Sequence, residues 1–281
     1  MIERSTDIVI NGSKGKRILI DLNFRKNNRP KQVVIFSHGF KGFKDWGAFN
    51  DIAHHFATKD IFFLKFNFSY NGTTIRDPLN FSDLDAFGNN NFSIELDDLG
   101  LVIDWLLNNY ELSNEIDVQD ICLLGHSRGG AISILKANED NRINKIISWS
   151  SPADLFSRLS DTSKVEKWRS DNVTYIYNGR TKQNMPLYFQ FYTNCKINSK
   201  RISLENAILN SNIPHLVVHG EDDSTVNVSD AKIMKEWNNK IRLEIVKDAN
   251  HVFGMSHPFI LDKFPVELNK VIDCTIDFLK S

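Results

Sequence analysis

Ile121-Cys122-Leu123-Leu124 runs directly into Gly125-His126-Ser127-Arg128-Gly129-Gly130, and a helical stretch from Gly129 to Ala137 follows. The four apolar residues read as a strand buried on both faces. A serine between glycines at such a junction, GxSxG, has the pattern of a nucleophile elbow. A strand-to-helix turn this sharp strains the serine backbone and lifts its hydroxyl above the sheet. Side chains two positions before and after would collide, which calls for glycine at 125 and 129. Ser127 is the candidate nucleophile.

Working outward, the same rhythm of short apolar run, turn and helical spacing repeats in both directions. Upstream, Asp7–Ile10 and Arg17–Phe24 flank Asn11-Gly12 and Ser13–Gly15 and read as an antiparallel hairpin. Val33–Ser37 and Ile61–Phe68 follow as strands, with helical spacing over Trp46–Thr58 between them and over Leu96–Tyr110 after them. Downstream, Lys145–Trp149, His215–His219 and Arg242–Val246 read as strands, and Ser229–Trp237 and Pro265–Leu279 as helices. Alternation of this kind predicts an α/β fold with a mostly parallel sheet and helices on both faces. Two segments break it. Asn67–Ser93, rich in Asn, Asp and Gly, reads as a pocket wall. Pro152–Asn212 is too long for one crossover and reads as a cap, since both leave strand carboxyl ends, where α/β sheets bind ligands.

A serine hydroxyl needs a base, and the base needs an orienting carboxylate. Two histidines follow the last strand; His251 lies just past its end, whereas His257 is farther on and precedes Pro258. His251 is therefore the candidate base. The strand His215–His219 ends in Gly220-Glu221-Asp222-Asp223-Ser224-Thr225-Val226, which leaves Asp222 and Asp223 as neighbouring acids. The backbone N–H of Arg128, directly after the nucleophile, is placed to hold an oxyanion. His38 and His126 read as structural, and His54-His55 as ordinary helix residues.

With these residues in view, the chain resembles the α/β-hydrolase superfamily over nearly its whole length. Gly125–Gly129 carries the elbow. His219-Gly220-Glu221-Asp222-Asp223-Ser224-Thr225-Val226 matches the family's HGxxDxxV, a register that implies Asp223 as the acid and leaves Asp222 as a turn-former bonding local amides. Some relatives place the acid just beyond the nucleophile-proximal strand, where Asp154 lies. Ser37-His38-Gly39-Phe40 matches the His-Gly turn, which implies the Phe40 N–H as the second oxyanion donor. With Lys41-Gly42-Phe43 the turn is most similar to the cinnamoyl-esterase, dienelactone-hydrolase-like and acylaminoacyl-peptidase-like branch. The resemblance implies about eight strands, a core of residues 1–151 and 213–281, and a cap at 152–212. It also implies a serine hydrolase of carboxylic esters, with amide or thioester cleavage, or a non-catalytic binding module, as the other readings.

Composition narrows the partners. Lys plus Arg is 34 against 35 Asp plus Glu, a balance that gives no field for nucleic acid or anionic membrane. Residues 151–210 hold nine basic and five acidic side chains, a local excess of four positive charges that either favours an anionic substrate or, as such small excesses ordinarily do, marks a solvated face. Tyr188–Tyr192 is an aromatic cluster, either cap packing or the lining for an acyl or aryl group. Cys122, Cys195 and Cys274 are an odd, widely spaced set without CxxC, so neither a disulfide framework nor a Cys-rich zinc site is expected. HExxH, Walker and dinucleotide motifs are missing, and no metal or organic cofactor is expected. The first residues lack the apolar core of a signal peptide, and no run suffices to span a bilayer. The expectation is a cytoplasmic monomer or dimer acting on a small-molecule ester.

Overall fold

The computed structural model describes residues 1–156 and 161–281. Among them, eight strands form one sheet in the order β1-β2-β4-β3-β5-β6-β9-β10. These are β1 (Ile2–Asn11), β2 (Arg17–Arg25), β3 (Lys31–Ser37), β4 (Phe62–Asn67), β5 (Ile116–His126), β6 (Lys145–Trp149), β9 (His215–Gly220) and β10 (Arg242–Val246), with β7 and β8 lying outside the sheet. The first two form the expected hairpin. β2 meets β4 antiparallel, and every pairing from β4 onward is parallel.

Strand β3 shows why the middle of the sheet needs covering on both sides. Val33 and Ile35 join one apolar cluster, and Val34 and Phe36 join the other. The first cluster is closed by α3 (Phe92–Asn108) and α4 (Arg128–Glu139), the second by α1 (Phe49–Thr58) and α9 (Val266–Leu279). Two helix starts differ from the sequence reading. α1 begins at Phe49 rather than Trp46, because Gly47 sits at φ +59° and holds the chain in a turn. α3 begins four residues early, because Asn91 caps it by accepting the Ile94 N–H at 3.0 Å.

The Asn67–Ser93 stretch contains a short helix, α2 (Leu84–Asn89). The stretch between β6 and β9 contains α5 (Thr162–Asp171), a separate hairpin β7 (Val173–Asn178) and β8 (Gln183–Tyr188), then α6 (Gln190–Ile197) and α7 (Leu204–Leu209). Leu204, Ala207 and Ile208 of α7 belong to the first main cluster, whereas the hairpin stands over the carboxyl ends of the strands. α8 (Val228–Trp237) follows β9. Among the described residues no helix is long and apolar enough to cross a membrane.

Candidate active site

The elbow joins β5 to α4 at Ser127, whose φ of +55° lies in the left-handed region that side chains rarely adopt. Such a residue stores about 1–3 kcal/mol of strain, sustained only where the surroundings fix it. They do so here. The Ser127 N–H donates to Trp149 O at 2.7 Å, and Ser127 O accepts the Gly130 N–H at 2.9 Å. A Cβ at Gly125 would lie 2.1 Å from Gly129 O, and one at Gly129 would lie 2.1 Å from Ser37 O. The predicted collision is with backbone on both sides, and no rotamer relieves it.

The carboxyl ends of β9 and β10 bring the other candidates to the same place. The Ser127 hydroxyl donates to His251 Nε2 at 3.1 Å, and the His251 Nδ1–H donates to Asp223 Oδ2 at 2.7 Å. A carboxylate only accepts, so it fixes the proton on Nδ1 and leaves Nε2 free to accept. The Asp223 side chain is wholly buried, and that of His251 is 16% exposed. Burial opposes a charge on Asp223, but hydrogen bonds from His219, His251 and the Val226 amide outweigh it and hold the carboxyl well below its usual range.

The alternatives fall elsewhere. Asp222 is exposed, and it does not form the local turn expected of it. Asp223 does so itself, its Oδ1 accepting the Thr225 and Val226 N–H groups at 2.8 Å each. One buried carboxylate serves both needs because its two oxygens point to opposite partners. Asp154 accepts the Phe156 N–H at 2.6 Å and closes its own turn. His257 accepts the Gly47 N–H through Nδ1 at 3.0 Å, away from the serine.

On the far side of Ser127 lies the Gly39-Phe40 turn after β3. The Phe40 N–H donates to no backbone acceptor among the described residues, and Arg128 opens α4 beside it. The Arg128 guanidinium packs over the Phe40 ring at 3.9 Å and the Phe92 ring at 5.0 Å. It also reaches Glu95 Oε1 at 3.4 Å.

Two hollows meet at Ser127 and His251. The larger, about 520 Å³, is mostly apolar and is lined by Phe40, Phe92, Leu155, Ile176, Leu187 and Phe191. The smaller, about 180 Å³, runs past Trp46, Phe49 and His126. In the Tyr188–Tyr192 cluster, Phe189, Phe191 and Tyr192 all pack with Trp168, and Phe191 also lines the larger hollow. The packing expected of the cluster is present.

A sequence model of the BD-FAE family matches residues 83–238, more than half the chain. The chain belongs to the BD-FAE family. This is an esterase-type α/β-hydrolase family. No curated protein sequence shows a significant match. Among solved structures, Est1E from Butyrivibrio proteoclasticus with bound ferulic acid superposes with a TM-score of 0.72 at 17% identity, covering 97% of this chain and 98% of that one. The esterase domain of a Rhodothermus marinus protein gives a TM-score of 0.60 at 18% identity, covering 90% and 91%. The α/β-hydrolase GrgF from Penicillium sp. sh18 gives 0.69 at 18%, covering 99% and 98%. At these identities the likeness is one of fold.

In this BD-FAE chain, three supports escaped the sequence reading. The His126 Nε2–H donates to the His251 carbonyl at 2.9 Å and so holds the loop that carries the imidazole. His219 Nε2 lies 3.3 Å from Asp223 Oδ2, behind the acid. Glu95 is buried beneath Arg128 and accepts from Asn90 Nδ2 at 2.7 Å. Both histidines stand in quoted motifs. The partner of His126 lies in another loop, whereas that of His219 is four residues on in the same motif, a local signal that was missed. Glu95 left another, a carboxylate on the buried side of α3. Among the described residues no group of three or more His, Cys, Asp or Glu is arranged to hold a metal ion.

Proposed function

We propose that this BD-FAE family member hydrolyses carboxylic esters of small or medium acyl or aryl groups through an acyl-enzyme. Ser127 Oγ attacks the acyl carbon while His251 Nε2 takes its proton. Asp223 holds the imidazole in the Nδ1–H tautomer and stabilises the imidazolium. The N–H groups of Phe40 and Arg128 receive the oxyanion. His251 returns the proton to the departing alcohol, and water activated by the same imidazole releases the acid and restores the serine. Residues 152–212 act as a cap over a core of 1–151 and 213–281, contributing Leu155, Ile176, Leu187 and Phe191 to the apolar hollow.

The observation that carries this reading is the unbroken hydrogen-bonded chain from Ser127 through His251 to Asp223 at a strained elbow. A hollow of about 520 Å³ has room for an aryl-acyl group such as the one in the ferulic acid bound by Est1E. The test is labelling with a neutral fluorophosphonate and peptide mapping, with matched ester, thioester and amide substrates assayed alongside. Ser127→Ala should lose all label and about 10³–10⁶-fold in kcat while keeping its fold, since binding and oxyanion contacts survive. Undiminished turnover would overturn the mechanism, and faster thioester or amide cleavage would reassign the substrate class.

A further inference from the structure

The two hollows share Lys41 and differ in what joins it. The smaller adds Arg180 at its rim and Asn178, buried in its wall, and among the described residues it contains no Asp or Glu, whereas the larger includes Asp154. Lys41 Nζ reaches the Tyr177 carbonyl at 3.4 Å and lies 5.9 Å from the Phe40 ring, with no carboxylate among its contacts. The exposed Arg180 guanidinium packs 5.2 Å from the Phe43 ring and 5.5 Å from the Phe81 ring, contacts that orient it without supplying a carboxylate. Burial pushes both groups down, and no carboxylate raises either one. The Asn178 Nδ2–H donates only to Met185 Sδ at 3.4 Å, a weak acceptor. Lys41 is itself held at φ +57°, where glycine would be relaxed, so the turn carries strain with a cation at its tip. Donors converge on this recess, and nothing acidic on its walls answers them.

We propose that the substrate is an anionic ester, the half that enters this recess carrying a carboxylate held by Lys41, Arg180 and Asn178. The proposal rests on the esterase reading above and adds the charge of the substrate. Arg180 offers a planar fork that matches a carboxylate, and Lys41 adds a point charge beside the same hairpin. The basic excess of residues 151–210 then has a specific member at work, Arg180, rather than being only a solvated face.

The experiment uses two pairs of isosteric esters. One pair is phenyl meta-carboxybenzoate and phenyl meta-carbamoylbenzoate, with the charge on the acyl half. The other is meta-carboxyphenyl benzoate and meta-carbamoylphenyl benzoate, with the charge on the alcohol half. In at least one pair the carboxylate should exceed the amide about tenfold or more in kcat/KM, the scale of one charge-assisted hydrogen bond. That ratio should fall about tenfold in Lys41→Gln and in Arg180→Gln, mainly through KM, and should shrink as ionic strength rises. Melting curves check that each variant is folded. Ratios near one in both pairs, or ratios that neither variant changes, overturn the proposal while ester hydrolysis itself stands. If no ester is cleaved and Ser127 takes no fluorophosphonate label, the esterase reading fails and the proposal falls with it.

Discussion

Asp223 divides its oxygens between the turn that positions it and the imidazole it orients, which lets substitutions separate the two tasks. In Asp223→Asn the remaining carbonyl oxygen can still accept the Thr225 and Val226 amides, so the turn survives. The new amide nitrogen faces His251 Nδ1 as a donor and favours the wrong tautomer. In another serine hydrolase that change costs roughly 10⁴-fold in kcat, and a loss of that order is expected here. Asp223→Ala removes both contacts and should also lower stability, by about 1–3 kcal/mol for the buried Val226 amide that loses its acceptor. Asp222→Asn, on an exposed side chain, should change kcat little. Circular dichroism and steady-state kinetics on the three variants decide the matter. The opposite ranking would move the acid to Asp222, and near-full activity in both asparagine variants would point to Asp154.

The turn that carries Phe40 is tied to the sheet by buried charge. Lys44 is buried just past it, its N–H donating to Asn67 Oδ1 at 2.6 Å and its Nζ to Asp21 at 2.8 Å and Asp45 at 2.7 Å. Asp21 on β2 also meets Lys65 of β4, fully buried, at 2.5 Å. Asp45 reaches Lys65 as well as Lys44, so each ammonium keeps one carboxylate when Asp21 is lost. Asp21→Asn should therefore lower the unfolding free energy by about 1.5–3 kcal/mol in urea denaturation, the worth of a hydrogen bond to a charged group. A loss below about 0.5 kcal/mol would mean that Asp45 alone satisfies both ammonium groups. Little of this anchoring was legible in the sequence. Lys65 inside Phe62-Phe63-Leu64-Lys65-Phe66 is a conspicuous charge in an apolar strand, but its partner is 44 residues away, and periodicity carries no information about such pairings. The strands Val33–Ser37, Lys145–Trp149 and His215–His219 were legible because burial on both faces leaves a purely local apolar run. The proposed nucleophile was legible because the elbow is a local steric demand. The start of α3 was missed because its cap, Asn91, stands inside a run of asparagines that reads as loop. The cationic rim of the smaller hollow was hidden because Lys41, Asn178 and Arg180 meet only through the β7–β8 hairpin.

Across the whole molecule, burial of neutral imidazoles sets how stability responds to acid. His38 is pushed down to about 4 and His126 and His215 to about 3, in each case chiefly by burial. Between the unfolded value near 6.5 and those folded values, the unfolded chain binds a proton at each site that the native state does not. Stability therefore falls as pH drops through that window, by up to about 1.4 kcal/mol per pH unit for each histidine. Asp223, depressed in the fold, contributes stability that is complete above about pH 4 and is lost only below it, so it adds to the acid limb later. Glu95 and Asp98 act in the opposite sense. Burial raises both carboxyls, so the native state takes up protons before the unfolded chain does, and acid relieves their burial. His55 and His257, also lowered by burial, add to the same limb, so histidines outnumber the two raised carboxyls and leave a net decline from about pH 6.5 toward 4. His215 is the group to isolate, since it lies at the start of β9, away from Ser127, with its Nε2 3.1 Å from Ser148 Oγ. His215→Gln can keep a hydrogen bond to Ser148 and cannot be protonated. Urea unfolding measured at intervals from pH 7 to pH 4.5 should show the variant's stability declining less steeply than the wild type, the difference approaching one proton, about 1.4 kcal/mol per pH unit. Parallel curves would mean that His215 is protonated in the native state at the same pH as in the unfolded chain, and that its burial contributes nothing to the acid limb.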